Sequence, residues 1–269
     1  MYYQQLRIFI LSFMVSIVFA SVGYSKDISM NFLANASLRI TDGDYILFTD
    51  FPYVSGAFGH MIYTYPYFVE QDNNVTTLIT NRREDHFDPD VFMTLKGWKI
   101  IAPPEVTGDL KKRYKGLNDA RNVVVARLKS DHKVNMAISW DSETKPVLVL
   151  PEPINKLKIL PFAEKMTNGP MEITAYKTKS AQTEHYSYLV EWGGRKIYLA
   201  GDTGDTDHLA ALPELDIAFL SPWLYENARR DNVLPHAKKI VIYQHKENEI
   251  IPNCRGCIIP QQGEYISFD

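Results

Sequence analysis

The stretch Thr77-Leu78-Ile79-Thr80-Asn81-Arg82-Arg83-Glu84-Asp85-His86-Phe87-Asp88-Pro89 limits most strongly what this chain can fold into. Residues 75–80 form an apolar, β-branched run of strand length, and that run stops abruptly in polar and charged residues. Asp88-Pro89 then supplies a helix start, with a carboxylate at the cap and a proline at the first helical position. Asp85 and His86 therefore fall in a turn between a strand and a helix. A strand end is a rigid mount for reactive side chains, so chemistry is expected here.

The rest of the chain repeats this arrangement. Residues 28–33, 37–40 and 45–49 read as successive antiparallel strands, with a tight turn at Asp42-Gly43. A loop rich in Gly, Tyr and Phe follows over 53–67, suited either to a pocket wall or to covering a core edge. Beyond the 75–80 strand and the helix at 88–95, the pattern predicts a strand at 98–102, a helix at 107–114 and a valine-rich strand at 122–128. Strands are expected again at 134–139, 146–150, 157–161 and 171–176. A hairpin over Gly193-Gly194 joins 186–192 to 196–200. A helix at 206–212, a buried strand at 217–220 ending in Ser221-Pro222-Trp223, a polar loop and a strand at 239–243 complete the series. Alternating strands and helices in two halves indicate an α/β protein.

Composition narrows the function classes. With 45% hydrophobic and 23% charged residues, the chain can bury a sizeable core, and its net charge of -3 offers no general attraction to nucleic acid. The one compact basic cluster, Lys111-Lys112-Arg113, reads as the solvated face of a short helix. Residues 1–25 have the form of a secretory signal: a short basic start, an apolar run over 8–20, then small residues before Lys26-Asp27. The apolar run is shorter than the ~20 residues of a spanning helix, which favours cleavage over an uncleaved anchor. The mature unit is then 26–269, periplasmic or extracellular, without a stable membrane span. The only cysteines, Cys254 and Cys257, suit a small local disulfide in an exported protein, with free thiols the alternative.

Three strand ends carry candidate ligands: Asp85 with His86, Asp202 in Gly201-Asp202-Thr203-Gly204, and His245. Two carboxylates and two imidazoles suit a divalent cation such as zinc, manganese or iron, provided the strand ends meet in space. Each has a plainer use, since Asp202 could cap a helix, His86 could serve a helix start and His245 could lie on the surface.

In this order the motifs resemble the metallo-β-lactamase-fold hydrolases, and among them the branch of ascorbate-6-phosphate lactonase. Thr49-Asp50 matches an early strand end, 80–86 the Thr-His-x-His-x-Asp-His motif, Gly201-Asp202-Thr203 the Gly-Asp-Thr motif and His245 the last histidine. The resemblance implies a four-layer αβ/βα sandwich and a two-metal site that activates water. One metal would be held by Asp85, His86, Asp202 and His245. The other site is degenerate, because Asn81 and Arg83 stand where histidines belong; its mid-chain histidine has His185 as nearest candidate. An amide is a weak ligand and a guanidinium is none. Two expectations follow: a single-metal hydrolase acting on an ester, lactone, amide or phosphoester, with Asp85, Arg83 and Asn81 catalytic; or a pseudoenzyme or binding protein that keeps the fold. The partner is a small molecule, with His60 and Trp223 as candidate substrate contacts.

Overall fold

The computed structural model describes residues 27–64, 74–130, 138–140, 146–148, 157–180, 183–246, 249, 251 and 254–269. The signal segment expected at 1–25 lies outside the described residues, as do parts of the strands expected at 134–139 and 146–150.

Two mixed sheets carry the fold. The first begins with the antiparallel strands β1 (Ser29–Ala34), β2 (Ser37–Thr41) and β3 (Ile46–Thr49), then adds β4 (Val75–Leu78) and β5 (Lys99–Ile101) in parallel. Strands β6 (Ile138–Trp140) and β7 (Pro146–Leu148) form a separate two-stranded ladder. Strand β8 (Lys158–Ile159) extends the first sheet at one edge. The second sheet is built from β9 (Lys165–Asn168), β10 (Met171–Thr178), β11 (His185–Trp192), β12 (Arg195–Leu199), β13 (Leu215–Leu220) and β14 (Ala237–Ile242), neighbours in that order. The short β15 (Tyr265–Ile266) returns to pair with β1. The hairpin expected over Gly193-Gly194 joins β11 to β12.

Side-chain parity explains why these sheets stack. Met30 and Phe32, Leu38 and Ile40, Tyr188 and Val190, Ile197 and Leu199, and Ile217 and Phe219 all belong to one buried cluster that joins both sheets. Their strand neighbours face outward into two other clusters. Phe48 and Ile100 pack with Phe92, Val106 and Leu110 of helices α1 (Pro89–Phe92) and α2 (Pro104–Ser130). Leu189, Tyr198 and Leu220 pack with Leu224, Tyr225 and Ala228 of α3 (Pro222–Arg230). Period-two alternation of large apolar residues thus produces the four-layer order helix, sheet, sheet, helix.

Three local readings are corrected. The valine-rich segment at 122–128 is no strand, because α2 continues through Ser130; between Tyr114 and the valines only Gly116 disfavours helix, and one glycine costs about 1 kcal/mol. The segment after Trp223 is helical rather than a polar loop, with Ser221 capping the Leu224 amide and Pro222 at the first turn. The helix expected at 206–212 is a single 3-10 turn at Leu209–Ala211. Asp88 does cap α1, accepting hydrogen bonds from the amides of Asp90 and Val91. Among the described residues no helix is long and apolar enough to cross a membrane.

Candidate active site

The ends of β3 and β4, the turn after β12 and the end of β14 meet at one edge of the two sheets. Asp50 stands at the end of β3 with a positive φ of 42°. Its carboxylate accepts from the Thr80 amide at 2.7 Å and the Thr80 hydroxyl at 2.9 and 3.0 Å. Asp50 Oδ2 lies 2.9 Å from Nδ1 of the fully buried His86, which fixes the ring and turns Nε2 toward the other site carboxylates. His86 Nε2 is 3.6 Å from Asp85 Oδ2 and 3.6 Å from Asp202 Oδ2.

Asp202 is the hub. Asn81 Nδ2 donates to its Oδ1 at 2.9 Å, and His185 Nε2 lies 3.1 Å from the same oxygen. Arg83 Nη1 donates to its Oδ2 at 2.6 Å. Asn81, Arg83 and His185, drawn from two distant segments, therefore surround one carboxylate. Gly201, at φ 68°, makes this approach possible, since a Cβ there would lie 2.4 Å from His185 Nε2.

Arg83 also reaches Asp85, with Nε 3.2 Å from Oδ1. Asp85 is 1% exposed and neither carboxylate oxygen has a hydrogen bond; its other close neighbours are His86 and His60, whose Nε2 is 3.5 Å away. The guanidinium, its side chain 34% exposed, sits 5.2 Å from the Phe58 ring. Trp223 Nε1 donates to the Asp202 carbonyl at 3.2 Å. His60 and Trp223 thus both lie beside the site.

His245 is not brought into it. Its Nε2 lies 3.0 Å from the Pro260 carbonyl oxygen and its Nδ1 3.1 Å from that of Lys246, and its ring stacks on Phe32. The site position belongs to Gln244, whose φ is 60° and whose Nε2 is 2.8 Å from His86 Nε2. The backbone turns over at the strand end, where side-chain parity no longer predicts direction. Sequence reasoning therefore does not find Gln244. Asp50 is legible as a Thr-Asp strand end, but its hold on His86 is not.

Electrostatics follow from Asp85 and Asp202 paired with the permanent Arg83 cation and from Asp50 paired with His86. Burial opposes charge on His86, but Asp50, Asp202 and Asp85 raise its pKa to about 9. Burial likewise opposes charge on Asp202, yet His86, His185 and Arg83 hold its carboxyl well below the usual range. Burial pushes the His60 pKa down despite Asp85. His86 binds its proton more tightly folded than unfolded, so its contribution is fully present below its ordinary 6.5 and is lost as pH rises through about 9. The urea midpoint should fall between pH 6.5 and 9.5, by an amount equivalent to at most about 3 kcal/mol. His86→Gln should flatten that dependence.

This donor set does not suit a metal as it is arranged. Among the described residues no three His, Cys, Asp or Glu side chains are placed to hold one ion together. The reason is chemical: Asp202 is committed to Asn81, His185 and Arg83, and the carboxylates that a cation would bridge already share a guanidinium.

A scan against protein-family models and a search of curated proteins found no match for the sequence. Solved structures do match. Isothiocyanate hydrolase from Delia radicum gut bacteria aligns over 89% of this chain and 99% of its own, at TM-score 0.58 and 12% identity. Igni18, a metallo hydrolase from the archaeon Ignicoccus hospitalis, aligns over 89% and 97%, at 0.55 and 11%. The metallo-β-lactamase fold protein YhfI from Bacillus subtilis aligns over 90% and 100%, at 0.55 and 12%. This chain has the metallo-β-lactamase fold. At such identities the likeness carries the fold alone, and it does not single out the lactonase branch. Two of these neighbours are named as hydrolases, one of them a metallo hydrolase, and the site described above lies where strand ends converge.

Proposed function

We propose that this chain is a metal-free member of the metallo-β-lactamase fold that binds a small molecule without hydrolysing it. The observation that carries the reading is the Arg83 guanidinium bonded to Asp202 and paired with Asp85, in the place between carboxylates that a cation would take. Hydrolysis in this fold needs a charge that lowers the pKa of water and polarises the scissile group. Arg83 cannot release a proton or bind water as a Lewis acid, and its charge is already matched by two carboxylates. A ligand-holding role is supported by exposed aromatic side chains beside the charged residues: Phe58 (60% exposed) lies against Arg83 and Trp223 (39%) is bonded to the Asp202 carbonyl. Export is part of the proposal, supported by the N-terminal pattern and by the Cys254–Cys257 disulfide, which suits an oxidising compartment.

Elemental analysis of the purified protein, grown with zinc, manganese and iron, tests this directly. Less than one-tenth metal per chain is expected, with no turnover of an ester, lactone, amide and phosphodiester panel. About one metal per chain, lost on Asp202→Ala and accompanied by hydrolysis, would overturn the reading in favour of a single-metal hydrolase.

A further inference from the structure

We propose that the Cys254–Cys257 disulfide anchors a strap, residues 258–264, that holds the Phe58 loop and the end of β14 in place, and that reduction of the disulfide by an external dithiol loosens both. The inference rests on the reading above only in taking this edge of the sheets as the ligand site, and it adds a redox control of that site's rim.

The strap crosses from one sheet to the other. At its start the Ile258 amide donates to the Ile240 carbonyl at 2.9 Å, and the Ile242 amide donates to the Ile258 carbonyl at 2.8 Å, a single bridge beside β14. At its far end, on β1, the Gly263 amide donates to the Phe32 carbonyl at 2.7 Å and the Phe32 amide to the Glu264 carbonyl at 2.8 Å. Between these anchors it touches the supports of the site twice. The Pro260 carbonyl oxygen lies 3.0 Å from His245 Nε2, and the preceding residue, Gln244, donates its backbone amide to the Asn35 carbonyl at 2.8 Å and meets His86 through its side chain. Gln262 Nε2 donates to the Ile62 carbonyl at 2.5 Å, in the loop that brings Phe58 to Arg83 and His60 to Asp85.

The strap has little packing of its own. Of residues 258–264 only Pro260 is buried, and 261–264 are exposed, so local opening there is easy unless both ends are fixed. The disulfide fixes the near end: it closes Cys254-Arg255-Gly256-Cys257 directly before Ile258, with both cysteines packed against the apolar cluster under α3. Arg255 and Gly256 are exposed and the cysteines partly so, which leaves the bond open to attack. In the exchange a thiolate of the dithiol attacks one sulfur and breaks the S–S bond, and its second thiol then displaces the mixed disulfide. The dithiol is oxidised to a disulfide, and its two electrons and two protons leave Cys254 and Cys257 as thiols. The freed near end gains conformations that the closed ring forbids, and the bonds made by Pro260 and Gln262 are the ones it releases.

Amide hydrogen exchange of the intact protein without ligand, oxidised and then reduced with dithiothreitol, is the test, and the double variant Cys254→Ser/Cys257→Ser supplies the cross-link-free state independently. Amides at 57–62, 242–246 and 258–264 should exchange roughly tenfold faster or more in both, while those of β10 and β11 stay within about twofold. Gln262→Ala with the disulfide intact should accelerate 57–62 alone. Unchanged exchange at 57–62 and 242–246 after reduction overturns the proposal. Equal acceleration over β10 and β11, which is also what a reduced form that unfolds would give, overturns it too, because the disulfide would then brace the whole fold. Neither outcome bears on metal content, which elemental analysis reads separately, so failure here and failure of the metal-free reading are distinguishable.

Discussion

Arg83→Met, which keeps the length of the side chain and removes its charge, is expected to destabilise the protein by about 2–4 kcal/mol at pH 7 in metal-free buffer. Breaking a buried ion pair by deleting one partner costs about 3–5 kcal/mol, because the surviving charge stays buried without compensation. Here two carboxylates are stranded together, Asp85 at 1% and Asp202 at 5% side-chain exposure. The lower range applies because the arginine side chain is one-third exposed and water screens part of the interaction. Asp202 also keeps Asn81 and His185. The check is a urea titration at pH 7 with unchanged slope. Phe58→Ala, which removes the ring beside the guanidinium and keeps the charge, is the control; a loss as large as that of Arg83→Met would assign the effect to packing against Phe58 instead.

The second large effect is expected at Gly201, where Gly201→Ala should cost about 2–4 kcal/mol and disturb the site as well. The backbone there has φ 68°, which L side chains rarely adopt, and an added Cβ would stand 2.4 Å from His185 Nε2, 2.9 Å from its Cε1 and 3.0 Å from Thr80 Cβ. Overpacking a tight site costs about 1–3 kcal/mol, and the left-handed conformation adds roughly 1 kcal/mol more. His185 is held from its other side by Thr178, so it cannot simply swing away. The substitution should therefore move the His185 ring signals in an NMR spectrum together with the Asn81 side-chain amide, which shares the Asp202 oxygen with it. Gly194→Ala is the control, since it has a similar φ of 75° and nothing within 4 Å of its added Cβ. It should show the backbone cost without the site disturbance.

Much of the architecture is legible in the amino-acid sequence. The strand end at Thr80, the cap at Asp88, the Asp42-Gly43 turn and the Gly193-Gly194 hairpin are local features, and local rules find them. The fold follows from motif order. Where such rules fail, they do so for definite reasons. The valines at 123–125 favour a strand intrinsically, yet nothing between Tyr114 and that run ends the helix, and α2 continues through it. His245 has the chemistry of a ligand and the correct chain position, but the backbone turn at Gln244 sends the neighbouring side chain into the site instead.

By itself, the sequence determined the period of the strands, the faces they bury and the polar residues left at their ends, because these depend on backbone geometry over a few residues. Tertiary structure alone decided what those ends do to one another. Arg83 meets Asp202 across 119 positions, Asn81 meets it across 121, and His86 meets Gln244 across 158. At such separations no periodicity carries information, and a difference of one residue or of one Ångström decides between a metal ligand, a hydrogen-bond donor and a bystander. The guanidinium in the centre is therefore an apparent defect in the motif but, in the folded protein, the cation on which the surrounding carboxylates depend.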